Sequence, residues 1–62
     1  MEKLTIKQIR VGLGLTQKEM ALELGLSLPT YRYKESGIRK FYIDEVIKIC
    51  DLANVDIDKV KI

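Results

Sequence analysis

The sequence lacks several residue types that support catalysis, metal binding or cross-linking. None of its 62 residues is histidine or tryptophan, and Cys50 is the only cysteine. A single cysteine excludes an internal disulfide, and without histidine an ordinary zinc site has too few ligands. The sequence shows no carboxylate pair at a catalytic spacing and no glycine-rich phosphate loop. We therefore expect neither an enzyme nor a cofactor.

Long apolar segments are also absent. No apolar run approaches the roughly 18 residues that a membrane-spanning helix requires, and residues 1–10 do not resemble a signal peptide. A single unpaired cysteine suits a reducing compartment. These features predict a soluble, cytoplasmic protein.

The composition that remains is that of a small folded domain. Hydrophobic residues make up 47% of the chain and charged residues 32%, with no long block of like charge. A chain of this length buries only about 60% of its unfolded surface, so its stability should be modest. We expect residues 1–62 to form one domain.

Charge is distributed unevenly along the chain, although the formal net charge is only +2. Residues 27–40 contain four basic residues and one acidic residue, whereas residues 41–58 contain one basic and five acidic residues. The basic segment is therefore the part that we expect to contact an anionic partner.

Glycines and capping residues divide the chain into five predicted helical segments. Thr16-Gln17-Lys18-Glu19 is a capping box, and Ser27 followed by Pro29 is a second helix start. The predicted helices cover about residues 5–12, 16–24, 27–35 and 43–53, with a short fifth turn after Asp56. The sequence thus predicts an all-α fold.

The second and third segments form a predicted helix-turn-helix. Gly25 can adopt the conformation that a sharp corner requires, and the small Ala21 allows the two helices to approach closely. We expect Leu26 and Tyr31 to anchor the third helix to the core, which leaves its opposite face free. In this arrangement the free face of the second helix of the motif enters a DNA groove.

The sequence resembles the Cro/cI-type (phage-repressor-like, XRE) helix-turn-helix family from about Leu4 to Val60. The stretches that carry this resemblance are Ile9-Arg10, Gly14-Leu15-Thr16-Gln17, Glu19-Met20-Ala21, Leu24-Gly25-Leu26-Ser27 and Glu35-Ser36-Gly37. The resemblance implies a compact five-helix domain that binds double-stranded DNA sequence-specifically and acts as a transcriptional repressor or regulator. It also implies a nucleoid-associated homodimer on a two-fold symmetric operator.

The resemblance assigns functional positions residue by residue. The family's base-reading positions fall on Leu28, Pro29, Arg32 and Tyr33, which helical spacing also places on one face. Its DNA-backbone positions fall on Gln17, Lys18, Ser27, Thr30, Arg39 and Lys40. Arg10 and Glu35 occupy positions that often form an ion pair beneath the DNA-binding surface.

Three positions depart from the family pattern. Leu28 and Pro29 are apolar where relatives commonly present amides or hydroxyls, which favours contacts with thymine methyl groups over adenine recognition. Arg32 is then the only residue on that face able to bind guanine with two hydrogen bonds. Lys34 replaces a usual apolar residue, and we expect its stem to cover the core while its ammonium reaches solvent or phosphate.

Several alternatives remain open from the sequence. The apolar Leu28 and Pro29 also suit a protein-interaction module, such as an antitoxin or anti-repressor on the same scaffold. The basic segment could simply be a solvated face. Of the adjacent aromatics Phe41 and Tyr42, we expect one to pack inside. Cys50 is expected to be a buried structural thiol.

The sequence also offers a candidate dimer surface. The segment from Asn54 to Ile62 is our candidate, because Ile57, Val60 and Ile62 are apolar residues beyond the main helices.

Overall fold

A computed structural model describes residues 2–61 and contains four α-helices within that range. The helices are α1 (Ile6–Gly12), α2 (Gln17–Leu24), α3 (Leu28–Glu35) and α4 (Ile43–Ala53). The all-α class is as predicted, but the prediction of a fifth helix is wrong. Residues Ile57–Lys59 form only a 3-10 turn, since the backbone becomes extended at Val60. None of the described helices has the length and apolar character needed to span a bilayer.

Capping boxes start both α1 and α2. The Thr16 hydroxyl accepts from the Glu19 amide at 3.1 Å, and the Glu19 carboxylate accepts from the Thr16 amide at 2.9 Å. Thr5 and Gln8 form the same reciprocal pair at the start of α1. Each box supplies partners for amides that the first helical turn leaves unpaired.

The core lies where the four helices meet. Met20, Tyr31 and Ile49 have no solvent exposure, so α2, α3 and α4 each contribute a fully buried side chain. The rest of the buried apolar set consists of Ile6, Ile9, Ala21, Val46, Cys50 and Val60. Burial, together with the charges of nearby Asp51 and Asp56, raises the pKa of the Cys50 thiol. The predicted structural role of Cys50 agrees with this placement.

The two ends of the described chain pair with each other. The Leu4 amide donates to the Lys59 carbonyl at 2.9 Å, and the Lys61 amide donates to the Leu4 carbonyl at 2.7 Å. This parallel bridge directs Val60 inward, where it is only 2% exposed. The prediction that Val60 contributes to a dimer surface is therefore wrong, because its side chain is buried. Ile57 stays exposed, and Ile62 lies outside the described residues.

The corner between α2 and α3 depends on Gly25. Its φ of 68° is in the left-handed region, where a side chain is unfavourable. The next amide, that of Leu26, donates back to the Ala21 carbonyl at 2.9 Å. Ala21 is buried and Leu26 packs against the core, as the sequence predicts. The corner thereby fixes the direction in which α3 leaves α2.

Candidate nucleic-acid interface

Helix α3 is anchored to the core on one side and open to solvent on the other. Tyr31 is fully buried, whereas Pro29, Arg32 and Tyr33 are exposed. Leu28, the fourth predicted base-reading residue, is half-buried. Three of the four predicted side chains are therefore exposed to a partner, and Leu28 is accessible in part.

Exposed cations lie on α3 and on the segments that adjoin it in the chain. Arg32 is on α3 itself, Arg39 and Lys40 are in the following loop, and Lys18 is in the first turn of α2. The Arg39 guanidinium lies 5.8 Å from the centre of the Tyr33 ring, within the range of a cation–π contact. This contact connects the loop to the exposed side of α3.

Some residues predicted to contact the DNA backbone already make hydrogen bonds within the protein. Ser27, the N-cap of α3, accepts from the Thr30 amide at 3.4 Å and donates from its hydroxyl to the Thr30 hydroxyl at 2.9 Å. Ser27 is exposed and Thr30 is half-buried. Both hydroxyls thus have a structural role at the helix start, besides any contact with a partner.

Glu35 is the centre of a hydrogen-bonded group that we call the Glu35 cluster: Arg10, Gln17, Tyr31 and Glu35. Arg10 Nε lies 2.9 Å from Glu35 Oε2, and the two side chains are 11% and 5% exposed. Tyr31 donates its hydroxyl to the same carboxylate, and Gln17 Nε2 donates to Glu35 Oε1 at 3.1 Å. Arg10 also donates to the Leu15 carbonyl at 2.8 Å. The cluster joins α1, the start of α2 and the end of α3.

The hydrogen bonds of the cluster stabilise the charged carboxylate. Burial alone would raise the pKa of Glu35, but hydrogen bonds from Arg10, Tyr31 and Gln17 outweigh it and lower the pKa below its ordinary value. The hydrogen bond to Glu35 raises the pKa of Arg10. Burial and the same carboxylate raise the pKa of Tyr31. The cluster therefore exists as a charged pair with a neutral phenol.

Gln17 also reaches the exposed face. Its Oε1 accepts from Arg32 Nε at 3.2 Å, while its Nε2 donates to Glu35. The family resemblance assigns Gln17 to a DNA-backbone contact, but nothing in the local sequence pattern indicates these two partners, which are 15 and 18 residues away.

Lys34 differs from the sequence-based expectation. It is only 7% exposed, and its ammonium lies 2.6 and 2.8 Å from the two carboxylate oxygens of Glu45. The expectation that this ammonium reaches solvent or phosphate is therefore wrong, because the ammonium is bonded to a buried carboxylate on α4. The sequence analysis missed this pair. The signal that could have indicated it is an acid at position 45 next to the apolar stripe of α4.

The two aromatic residues after the basic loop, Phe41 and Tyr42, have different environments. The Lys34 ammonium lies 4.1 Å from the centre of the Tyr42 ring, and Glu45 also accepts from the Tyr42 amide at 2.8 Å. Phe41 is half-buried and meets Tyr31 edge-on with ring centres 6.0 Å apart. Phe41 is thus the inner residue of the pair, and Tyr42 is 68% exposed.

Residues 2–61 offer little evidence for a metal site or a small-molecule pocket. That part of the chain contains no group of three or more side chains suited to hold a metal ion. A surface depression of about 400 Å³ beside the 37–41 loop is lined in part by Lys34 and Glu35, which are already paired within the protein. The exposed side of α3 and its cationic flanks remain the best candidate for a binding surface.

Comparisons with known proteins identify the family. The helix-turn-helix family profile matches residues 6–60. Over 50 residues the chain is 36% identical to the cryptic phage CTXphi transcriptional repressor RstR of Vibrio cholerae serotype O1 (strain ATCC 39315 / El Tor Inaba N16961). The match covers 81% of this chain but 45% of that protein, so the chain spans less than half of its relative's length. No solved structure matches the chain. With the corner at Gly25 and a family match from α1 to the 3-10 turn, the chain belongs to the Cro/cI-type helix-turn-helix family.

Proposed function

We propose that this chain binds double-stranded DNA sequence-specifically and regulates transcription as a repressor. The observation that carries the proposal is the exposed side of α3, which presents Pro29, Arg32 and Tyr33 beside the exposed cations Arg39 and Lys40. A helix of this kind lies in the major groove, and flanking cations contact phosphates. The phage repressor among its relatives supports the same role.

Within this proposal the side chains divide into two groups with different tasks. Leu28, Pro29, Arg32 and Tyr33 contact base edges, with Arg32 on guanine and the apolar pair on thymine methyl groups. The backbone is contacted by Gln17, Lys18, Ser27, Thr30, Arg39 and Lys40. Base contacts determine which site is bound, whereas phosphate contacts strengthen binding to every site.

Selection of duplexes from a random pool, followed by salt titration, tests the proposal. Arg32→Ala should relax base preference at one position, since a bidentate contact with guanine contributes about 1–3 kcal/mol of discrimination. Lys40→Ala should weaken binding to all sites alike and reduce the salt slope by about one. Lys48→Ala is a matched control, because it removes the same charge from an exposed position on α4 next to Asp44 and Asp51. Equal effects of Arg32→Ala and Lys40→Ala on every sequence would contradict the two roles.

The same titration separates DNA binding from the alternative function. The apolar Leu28 and Pro29 favour a protein-interaction module, such as an antitoxin or anti-repressor. A DNA-binding protein loses affinity steeply as salt rises, because counterion release from the duplex then contributes less. No detectable binding to mixed genomic duplex at low salt would favour the protein-interaction module.

We further propose that the protein acts as a homodimer on an operator with two-fold symmetry. Two copies of α3 in successive major grooves would be about 34 Å apart. The C-terminal segment is the candidate interface, and Ile57 is the apolar residue that it exposes among the described residues. Sedimentation of the wild type and of Ile57→Lys, with and without duplex, tests this. A monomeric stoichiometry on every selected site would refute it.

A further inference from the structure

The amide of Gln17 is bonded at both ends, which leaves it one favourable orientation. Its Nε2 donates to Glu35 Oε1 at 3.1 Å, and its Oε1 accepts from Arg32 Nε at 3.2 Å. Exchanging the amide oxygen and nitrogen would place an acceptor against the carboxylate and a donor against the guanidinium. The charges on either side therefore determine which way the amide points.

The carboxylate on one side of this amide is itself fixed. Glu35 is bonded to Arg10 and Tyr31, and its side chain is only 5% exposed. Arg10 is anchored further by its bond to the Leu15 carbonyl. A rigid buried group is therefore connected, through one amide, to an exposed side chain on the surface of α3.

The bond from Gln17 also limits how Arg32 can meet a base. An arginine can present either Nε with one Nη, or its two Nη groups, as a pair of parallel donors. Because Nε already donates to Gln17, the two Nη groups remain for the O6 and N7 acceptors of guanine. Within residues 2–61 the Nη groups of Arg32 make no hydrogen bond of their own. An exposed arginine would otherwise lose rotamer freedom on binding, which weakens the contact.

We propose that Gln17 is a positioning residue, which transmits the fixed orientation of Glu35 to Arg32 and so sets how strongly Arg32 discriminates guanine. The inference rests on the proposed function, since it assigns Arg32 a base contact. It goes beyond that function, because a glutamine that only touched phosphate would affect every site equally. The two roles are compatible, as the second hydrogen of the Gln17 amide is available to a phosphate.

A double-mutant cycle on the full chain separates the two roles. Gln17→Leu, Arg32→Ala and the double variant are each titrated against the selected duplex and against the same duplex with the guanine replaced. We expect Gln17→Leu to reduce the preference for guanine about 3- to 10-fold when Arg32 is present. In the Arg32→Ala background it should leave that preference unchanged. Lys18→Ala, at the neighbouring position, should weaken both duplexes by the same factor.

A second measurement tests the contact without DNA. In the wild-type protein the Arg32 Nε–H signal in NMR spectra should be resolved and should exchange slowly with water. In Gln17→Leu it should exchange at the rate of an ordinary exposed arginine, while circular dichroism shows the helices unchanged. Failure of the wild type to bind any duplex would refute the proposed function and this role with it. Normal wild-type binding with equal losses on both duplexes for Gln17→Leu, or no change in the Arg32 signal, would overturn the positioning role alone.

Discussion

Arg10→Met should be among the most destabilising single substitutions in this chain. It leaves the Glu35 carboxylate, 5% exposed, without the cation that lies 2.9 Å from it. Breaking a buried pair by removing one partner costs about 3–5 kcal/mol, because the remaining charge is poorly solvated. A domain of this length has a total unfolding free energy of about 3–9 kcal/mol. The variant is therefore expected to lose a large part of its stability.

Urea unfolding followed by circular dichroism measures this effect in Arg10→Met, Glu35→Gln and the double variant. Because each single change breaks the same Arg10–Glu35 ion pair, the double variant should lose less than the sum of the two single changes. The expected coupling is about 1–3 kcal/mol. Lys7→Met is the control, since it removes an exposed cation from the same helix and should change stability by about 0.5 kcal/mol or less.

A coupling near zero would show that the Arg10–Glu35 contact contributes nothing beyond packing. If Arg10→Met lowered the free energy of unfolding no more than Lys7→Met does, the buried Arg10–Glu35 pair would not have the predicted effect on stability.

Three further predictions concern stability. Hydrogen bonds lower the folded-state pKa of Glu35, so its stabilising contribution is complete above the unfolded-state value near 4.5 and is lost as the pH falls through the folded-state value. Between about pH 5 and about pH 3 the urea midpoint of the wild type should therefore fall more than that of Glu35→Gln, and parallel curves would argue against this. Lys34→Met should cost about 3–5 kcal/mol by leaving Glu45 buried and charged, and adding Glu45→Gln should recover part of that loss in calorimetry; strictly additive losses would contradict the pairing. Gly25→Ala should cost about 1–2 kcal/mol because its φ is 68°, although no atom within 4 Å would meet the new Cβ. Gly12→Ala, at the last residue of α1 and equally unobstructed, should instead stabilise by about 0.5 kcal/mol, and the backbone argument fails if both changes act alike.

The helix boundaries could be predicted because their causes are local. Thr16 with Glu19, Ser27 with Pro29, and Gly25 act on amides or torsions within three residues of themselves. The extent of α2 and α3 and the corner between them were predicted from those residues. The capping box of Thr5 and Gln8 was equally visible in the sequence. By contrast, the 3-10 turn at Ile57–Lys59 depends on a pairing with Leu4 more than fifty residues away, and the sequence predicted a fifth helix there.

For the candidate interface, the sequence by itself determined which residues α3 carries and, through helical periodicity, that Leu28, Pro29, Arg32 and Tyr33 share a face. Only the tertiary structure decided which partners the charged side chains of α3 have. It neutralises Lys34 with Glu45 on α4 and connects Arg32 through Gln17 to Glu35. The physical reason is that the free energy of a charge depends on its burial and on neighbours that are distant in sequence, which no local pattern specifies.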